Sequence, residues 1–178
     1  MNIEAMTQLI RVLTNVQNTP ELAIAFNLDD WMSTYTKEDY NELTEKYGGD
    51  FADDSKRIMI PHKCGATACA VGYAGLDPWF RARGLSTSID GDVKYVLPGE
   101  NEDDDGAYDG FDAAAEFFGI SGNDAFYLFS DASYADRSAT GPDQVIARIK
   151  QMIEDDIANQ AEIKAQFQDV FNAPTGDA

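Results

Sequence analysis

Three observations predict a mostly helical α+β fold, a single compact domain over residues 1–178. Apolar residues recur at three- and four-residue steps in several segments, the spacing of one helix face. Two short β-prone runs flank Asp90-Gly91, a pair that favours positive φ at both turn positions, which gives one small hairpin near residues 86–97. The composition is 44% hydrophobic and includes ten Phe, eight Tyr and two Trp, enough to build a core in a chain of this length.

The elements follow in order. Ile3, Met6, Leu9, Ile10, Leu13 and Val16 form the apolar stripe of an amphipathic helix over 2–17. Pro20 opens "PELAIAF", a further turn or two, and "NLDDWMSTY" is a connection carrying a buried Trp31. Thr36 with Asp39 caps a helix that Gly48-Gly49 closes, and "RIMIP" suits a short strand stopped by Pro61. Ala66 or Thr67 opens the small-residue helix "TACAVGYAGL", which ends near Asp77-Pro78, and "PWFRARG" adds one or two turns.

After the hairpin comes an acidic loop, then "GFDAAAEFFG", a helix with Gly119 just past its end. Ser121 starts the next, placing Ala125, Leu128 and Phe129 on one face. Pro142 suits a first helical position, and Val145, Ile146, Ile149, Met152 and Ile153 are the buried stripe of the last helix. "IANQAEIKAQFQDVF" continues or restarts it.

Charge narrows the partners. Thirty-two acidic residues against 13 basic ones leave a formal net of −19. Such a field repels nucleic acid and anionic membranes, so neither is expected as a direct partner, and it attracts cations or a basic protein surface. Seven acids and no base lie between Glu100 and Asp112. From Lys56 to Lys94 the balance reverses, with Lys56, Arg57, Lys63, Arg81, Arg83 and Lys94 against three aspartates. No apolar run approaches the roughly 20 residues of a membrane span. "MNIEAMTQLIRVL" lacks the basic start and cleavage site of a secretory signal, and two cysteines make no disulfide framework, so a cytoplasmic location is expected.

The stretch "HKCGATACAVGYAG" holds both cysteines and the one histidine. His62, Cys64 and Cys69 are zinc-binding types at H-x-C-x₄-C spacing, and a structural site needs a fourth ligand from elsewhere. Cys64 ahead of a helix start, beside Lys63, is placed for a lowered thiol pKa, with His62 available as a base. A basic pocket near Arg81 and Arg83 would suit that enzyme's anionic substrate. Against both stands packing: buried cysteine behaves as a small hydrophobe, and Ala66, Ala68, Ala70, Gly72, Ala74 and Gly75 let backbones approach closely.

A calcium site is the third candidate. The run from Asn101 maps onto a twelve-position EF-hand loop, with oxygen ligands from Asn101, Asp103, Asp105, Asp109 and Asp112 and Gly106 at the sharp turn. Position 12 is Asp rather than the longer Glu, and a hairpin precedes the loop where a helix should enter. A solvated acidic loop is the alternative. No P-loop, dinucleotide fingerprint, H-E-x-x-H or G-x-S-x-G occurs.

"CGATACAVGYA" resembles the C-G-T-x-x-C-x-x-G-[HW]-A signature of small uncharacterised proteins of bacteriophages and prophages. "FNLDDW", "AAAEFFGISGNDAFYLFS" and "TGPDQVIARIKQMI" are similar to further elements of that family. The shared positions are Trp31, Cys64, Gly65, Cys69, Gly72, Leu128, Phe129, Arg148 and Ile149. Ala66 stands where the family has Thr, and Tyr73 where it has His or Trp. The resemblance implies an origin rather than a mechanism. With the charge, it leads to the expectation of a small acidic accessory protein in the host cytoplasm. Such a protein would bind a host protein with a basic surface, as an inhibitor of host defence or of nucleic-acid-handling machinery. A Cys64/His62 enzyme and a calcium-stabilised module are the alternatives.

Overall fold

Asn2 starts the first helix: its Oδ1 accepts from the Ala5 amide at 3.1 Å, satisfying one of the first-turn donors that have no intrahelical partner. Helix α1, Ile3–Asn18, buries Ala5, Met6, Leu9, Leu13 and Val16, as its periodicity predicts. The structure is a computed structural model that describes residues 1–20, 22, 26, 28, 68–87, 92–100, 107–135 and 140–172, the stretch 166–172 by its backbone alone. Trp31, the Thr36–Gly49 helix and "RIMIP" lie outside the described residues.

Helix α2, Ala70–Leu76, is capped by Cys69. This corrects the expected start at Ala66 or Thr67. Ala68 forms a parallel bridge with Phe26, so the backbone is still extended there and turns helical only after Cys69. Every residue of α2 is buried, which its run of small side chains permits. Asp77 ends α2 and caps α3, Pro78–Arg81, with Pro78 in the first turn where its missing N–H costs nothing.

Strands β1 (Leu85–Thr87) and β2 (Val93–Val96) form the predicted antiparallel hairpin, with Leu85 opposite Tyr95 and Thr87 opposite Val93. A third strand, β3 (Ala107–Asp109), pairs antiparallel with β2 and completes the order β1-β2-β3. This strand lies within the stretch expected as acidic loop, and three residues are too short to display a strand period in the sequence.

Helix α4, Gly110–Phe118, buries Ala113, Ala114, Phe117 and Phe118. Gly119 closes it at φ +60, and the amides of Gly119 and Ile120 return to the Glu116 and Ala115 carbonyls. Helix α5, Gly122–Phe129, begins at Ser121, whose Oγ accepts from the Asp124 amide at 3.1 Å, and buries Ala125, Leu128 and Phe129. A 3₁₀ turn, Asp131–Ser133, precedes α6, Pro142–Asn172, one continuous helix of 31 residues. The two sequence segments read as continued or restarted are therefore a single element.

The core joins the first described helix to the last. Helix α6 packs along α1 and touches α5, while α2 contacts α1, α3, β1 and β2. Phe80 meets Phe117 and Phe118 at ring-centroid distances of 5.5 and 6.0 Å, Phe118 meets Phe129 at 5.6 Å, and Tyr95 meets Phe117 edge-on at 5.2 Å. Tilted and edge-on contacts suit the ring quadrupoles. The result is a mostly helical α+β fold with a small three-stranded sheet on its side.

Candidate functional site

Of the signature positions, Cys69 and Gly72 are described; His62, Cys64 and Gly65 lie outside the described residues, as Trp31 does. Cys69 is 1% exposed, and its Sγ accepts from the Gly72 amide at 3.3 Å. The sulfur thus takes the place of a Ser or Asp oxygen at the N-cap. The Gly72 carbonyl accepts from Thr87 Oγ1 at 3.3 Å, tying α2 to β1. Here the cysteine is a packing and capping group, and it is Cys69, not Cys64, that stands at the start of α2. In a Cys64→Ser protein, a disulfide reagent should modify Cys69 only as fast as the chain unfolds. Rapid, stoichiometric labelling of the folded form would show that the thiol is accessible.

Among the described residues, no three His, Cys, Asp or Glu side chains converge as a metal-binding group. Asn101, Asp103 and Asp105 lie outside them. Asp109 and Asp112 are exposed: Asp109 ends β3, where it pairs with Lys94 in register, and Asp112 lies in the first turn of α4. The helix after the loop is present, beginning at Gly110, and a strand rather than a helix precedes it.

Of the basic stretch, Lys56, Arg57 and Lys63 lie outside the described residues, and Arg83 has an aromatic and an acidic neighbour. The Arg83 guanidinium lies 3.7 Å from the centre of the Trp79 ring, donates to the Trp79 carbonyl at 3.2 Å and comes within 3.9 Å of Glu4. Beside it, Glu4, Thr7, Gln8, Arg11 and Trp79 line an open depression of about 260 Å³ between α1 and α3. Both signs of charge rim it, so its field does not select an anion.

A cluster around Arg148 escaped the sequence reading except as a shared position. Its guanidinium lies between two aromatic rings, 4.1 Å from that of Tyr127 and 3.5 Å from that of Tyr134. Nη1 donates to the Tyr127 carbonyl and, at 2.8 Å, to Ser133 Oγ; Nη2 donates to the Ser133 carbonyl at 2.8 Å. The side chain clamps the end of α5 and the 3₁₀ turn onto α6. An arginine six residues past a proline-initiated helix start carries no local mark of this role.

Two buried phenols set a pH limit. Tyr73 donates to the Leu22 carbonyl at 3.2 Å and Tyr134 to the Leu128 carbonyl at 2.8 Å. Burial, helped by Cys69, pushes Tyr73 up to about 12; burial does the same for Tyr134, with Arg148 pulling part of the way back. The unfolded chain loses these protons near pH 10, the folded protein only near 12, so the unfolded state binds fewer protons between the two. Their contribution is complete below pH 10 and declines as pH rises through 12. The urea midpoint should fall across this window, and Tyr73→Phe with Tyr134→Phe should flatten the fall. An equally steep fall in the double variant would assign it to other groups.

No family model, curated protein or solved structure matches this chain. Among the described residues, no helix is long and apolar enough to cross a membrane.

Proposed function

We propose that this chain is a small acidic accessory protein, of bacteriophage or prophage origin, that acts by binding a host protein with a basic surface in the host cytoplasm. The observation that carries the reading is the net charge of −19 on a folded body. None of the described Asp or Glu residues is buried, so those acids stand at the surface, where charge acts at long range. A basic groove built to hold DNA or RNA carries the complementary charge, and host defence nucleases, restriction systems and polymerases present such grooves. The same field disfavours direct contact with nucleic acid and with anionic membrane surfaces. The phage origin rests on the Cys64-Gly65, Cys69 and Gly72 pattern and its flanking segments.

Affinity capture from host cells, with mass spectrometry of what is retained, tests the reading. A partner with a basic surface should be held at about 0.1 M salt and released towards 1 M, where the screening length contracts from about 10 to 3 Å. Recovery of no partner, or of one indifferent to salt, would overturn it.

A further inference from the structure

Two large aromatic side chains of α5 face solvent. Ala125, Leu128 and Phe129 turn into the core, which leaves Phe126 and Tyr127 46% and 48% exposed on either side of the helix's outward line. They lean opposite ways. Tyr127 lies under the Arg148 guanidinium of α6. Phe126 meets the half-buried Phe111, in the first turn of α4, at 5.5 Å between ring centres and a tilt of 50°. The Phe111–Phe126 pair thus bridges α4 and α5 at the surface.

The stretch that carries this pair has charge of one sign. Between Tyr95 and Asp136 the sequence holds eleven acids and no Lys, Arg or His. Of the described ones, Glu100, Asp109, Asp112 and Glu116 are exposed, and Asp124 and Asp131 half-buried. Asp109 and Asp112 stand within two residues of Phe111. Elsewhere the chain supplies its own cation to an accessible ring: Arg83 stacks on Trp79 at 3.7 Å and Arg148 on Tyr127 at 4.1 Å. The stretch with Phe111 and Phe126 has no such residue to offer. A guanidinium from outside would meet ring quadrupole and carboxylates together, and its plane can stack on a ring as an ammonium cannot. A second copy brought to this face across a two-fold axis would set the same acids against each other, with no base of the stretch between them.

We infer that the Phe111–Phe126 pair is the docking point for an arginine side chain of a partner protein, with Asp109 and Asp112 selecting its charge. This rests on the reading that the chain binds a basic protein, and it assigns one contact within that interface.

The full chain is titrated with a labelled peptide of alternating Arg and Gly at about 0.15 M salt, where the screening length is about 8 Å. A dissociation constant of roughly 10–100 μM is expected. F126L keeps an apolar side chain but no ring; it should weaken binding about threefold or more and melt close to the wild type, since the position is nearly half exposed. D109N/D112N should also weaken binding about threefold. D155N/E162Q removes the same charge from α6, roughly 10 and 21 Å along its axis beyond Arg148, and should have less than about half that effect. Peptides with Lys for Arg, and with the neutral citrulline for Arg, should bind about threefold and about tenfold more weakly. In the wild type, the aromatic NMR signals of Phe111 and Phe126 should move during the titration while those of the buried Phe80 stay.

An F126L protein that binds as the wild type does would show the ring idle. Equal loss in D155N/E162Q and D109N/D112N would show only the overall field at work. Equal binding of the citrulline or the lysine peptide would show no selection of charge or of the guanidinium plane. Any of these overturns the proposal, as do unmoved Phe111 and Phe126 signals and the absence of peptide binding. So does a dimer of the full chain at low micromolar concentration that F126L dissolves, since the face then belongs to a second copy. If a host partner is captured equally by F126L and by D109N/D112N, the docking point fails while the proposed function stands. If the peptide binds as expected and no salt-sensitive host partner is captured, the proposed function fails and the docking point stands.

Discussion

Gly75→Ala should lower stability by about 3 kcal/mol, roughly 10 °C in melting temperature for a chain of this size. A Cβ at position 75 would lie 2.0 Å from Thr87 Oγ1, 2.7 Å from the Thr87 nitrogen and 2.9 Å from the Ser86 carbonyl carbon. A rotated hydroxyl could relieve the first clash, but the other two are with the backbone of β1 and require the strand to move. Displacing Thr87 also breaks its bond to the Gly72 carbonyl. The intrinsic preference of helices for alanine over glycine, about 1 kcal/mol, acts the other way and is outweighed. Gly122 supplies the control: a Cβ there meets nothing within 4 Å, so Gly122→Ala should leave the melt unchanged or slightly raised. If Gly75→Ala melts with the wild type, α2 and β1 are not in this close contact.

Arg148→Lys should cost nearly as much as Arg148→Ala, about 2–3 kcal/mol in chemical denaturation. A lysine keeps the charge, but it cannot reach Ser133 Oγ, the Ser133 carbonyl and the Tyr127 carbonyl together, nor lie flat between two rings. Either replacement takes the guanidinium donor from the Ser133 carbonyl and leaves the Tyr127 carbonyl with the Ser133 hydroxyl alone. A lysine variant as stable as the wild type would show that charge, rather than the planar fork, holds the junction.

Much of the helical framework was legible because its signals are local. The stripes of α1 and α6, Ser121 as a cap, Gly119 as a terminator and Pro142 as a start each depend on residues within a turn or two. What was not legible depends on distant partners. The start of α2 moved to Cys69 because Ala68 bridges Phe26, more than forty residues away in sequence, and β3 exists because β2 offers it an edge. The site readings divided in the same way. Cys69 could be recognised as packing from the small residues around it, whereas Arg148 took its meaning from Tyr127, Ser133 and Tyr134 brought in by folding.

The complete burial of α2 has a kinetic corollary. A seven-residue helix enclosed by α1, α3, β1 and β2 has no face from which solvent can pry it open, so its amides exchange with deuterium only when the whole assembly comes apart. The amides of Tyr73 to Leu76 should therefore be the slowest to exchange and should report the free energy of global opening. Those of α6 beyond Ile157 should exchange by local fraying, orders of magnitude sooner.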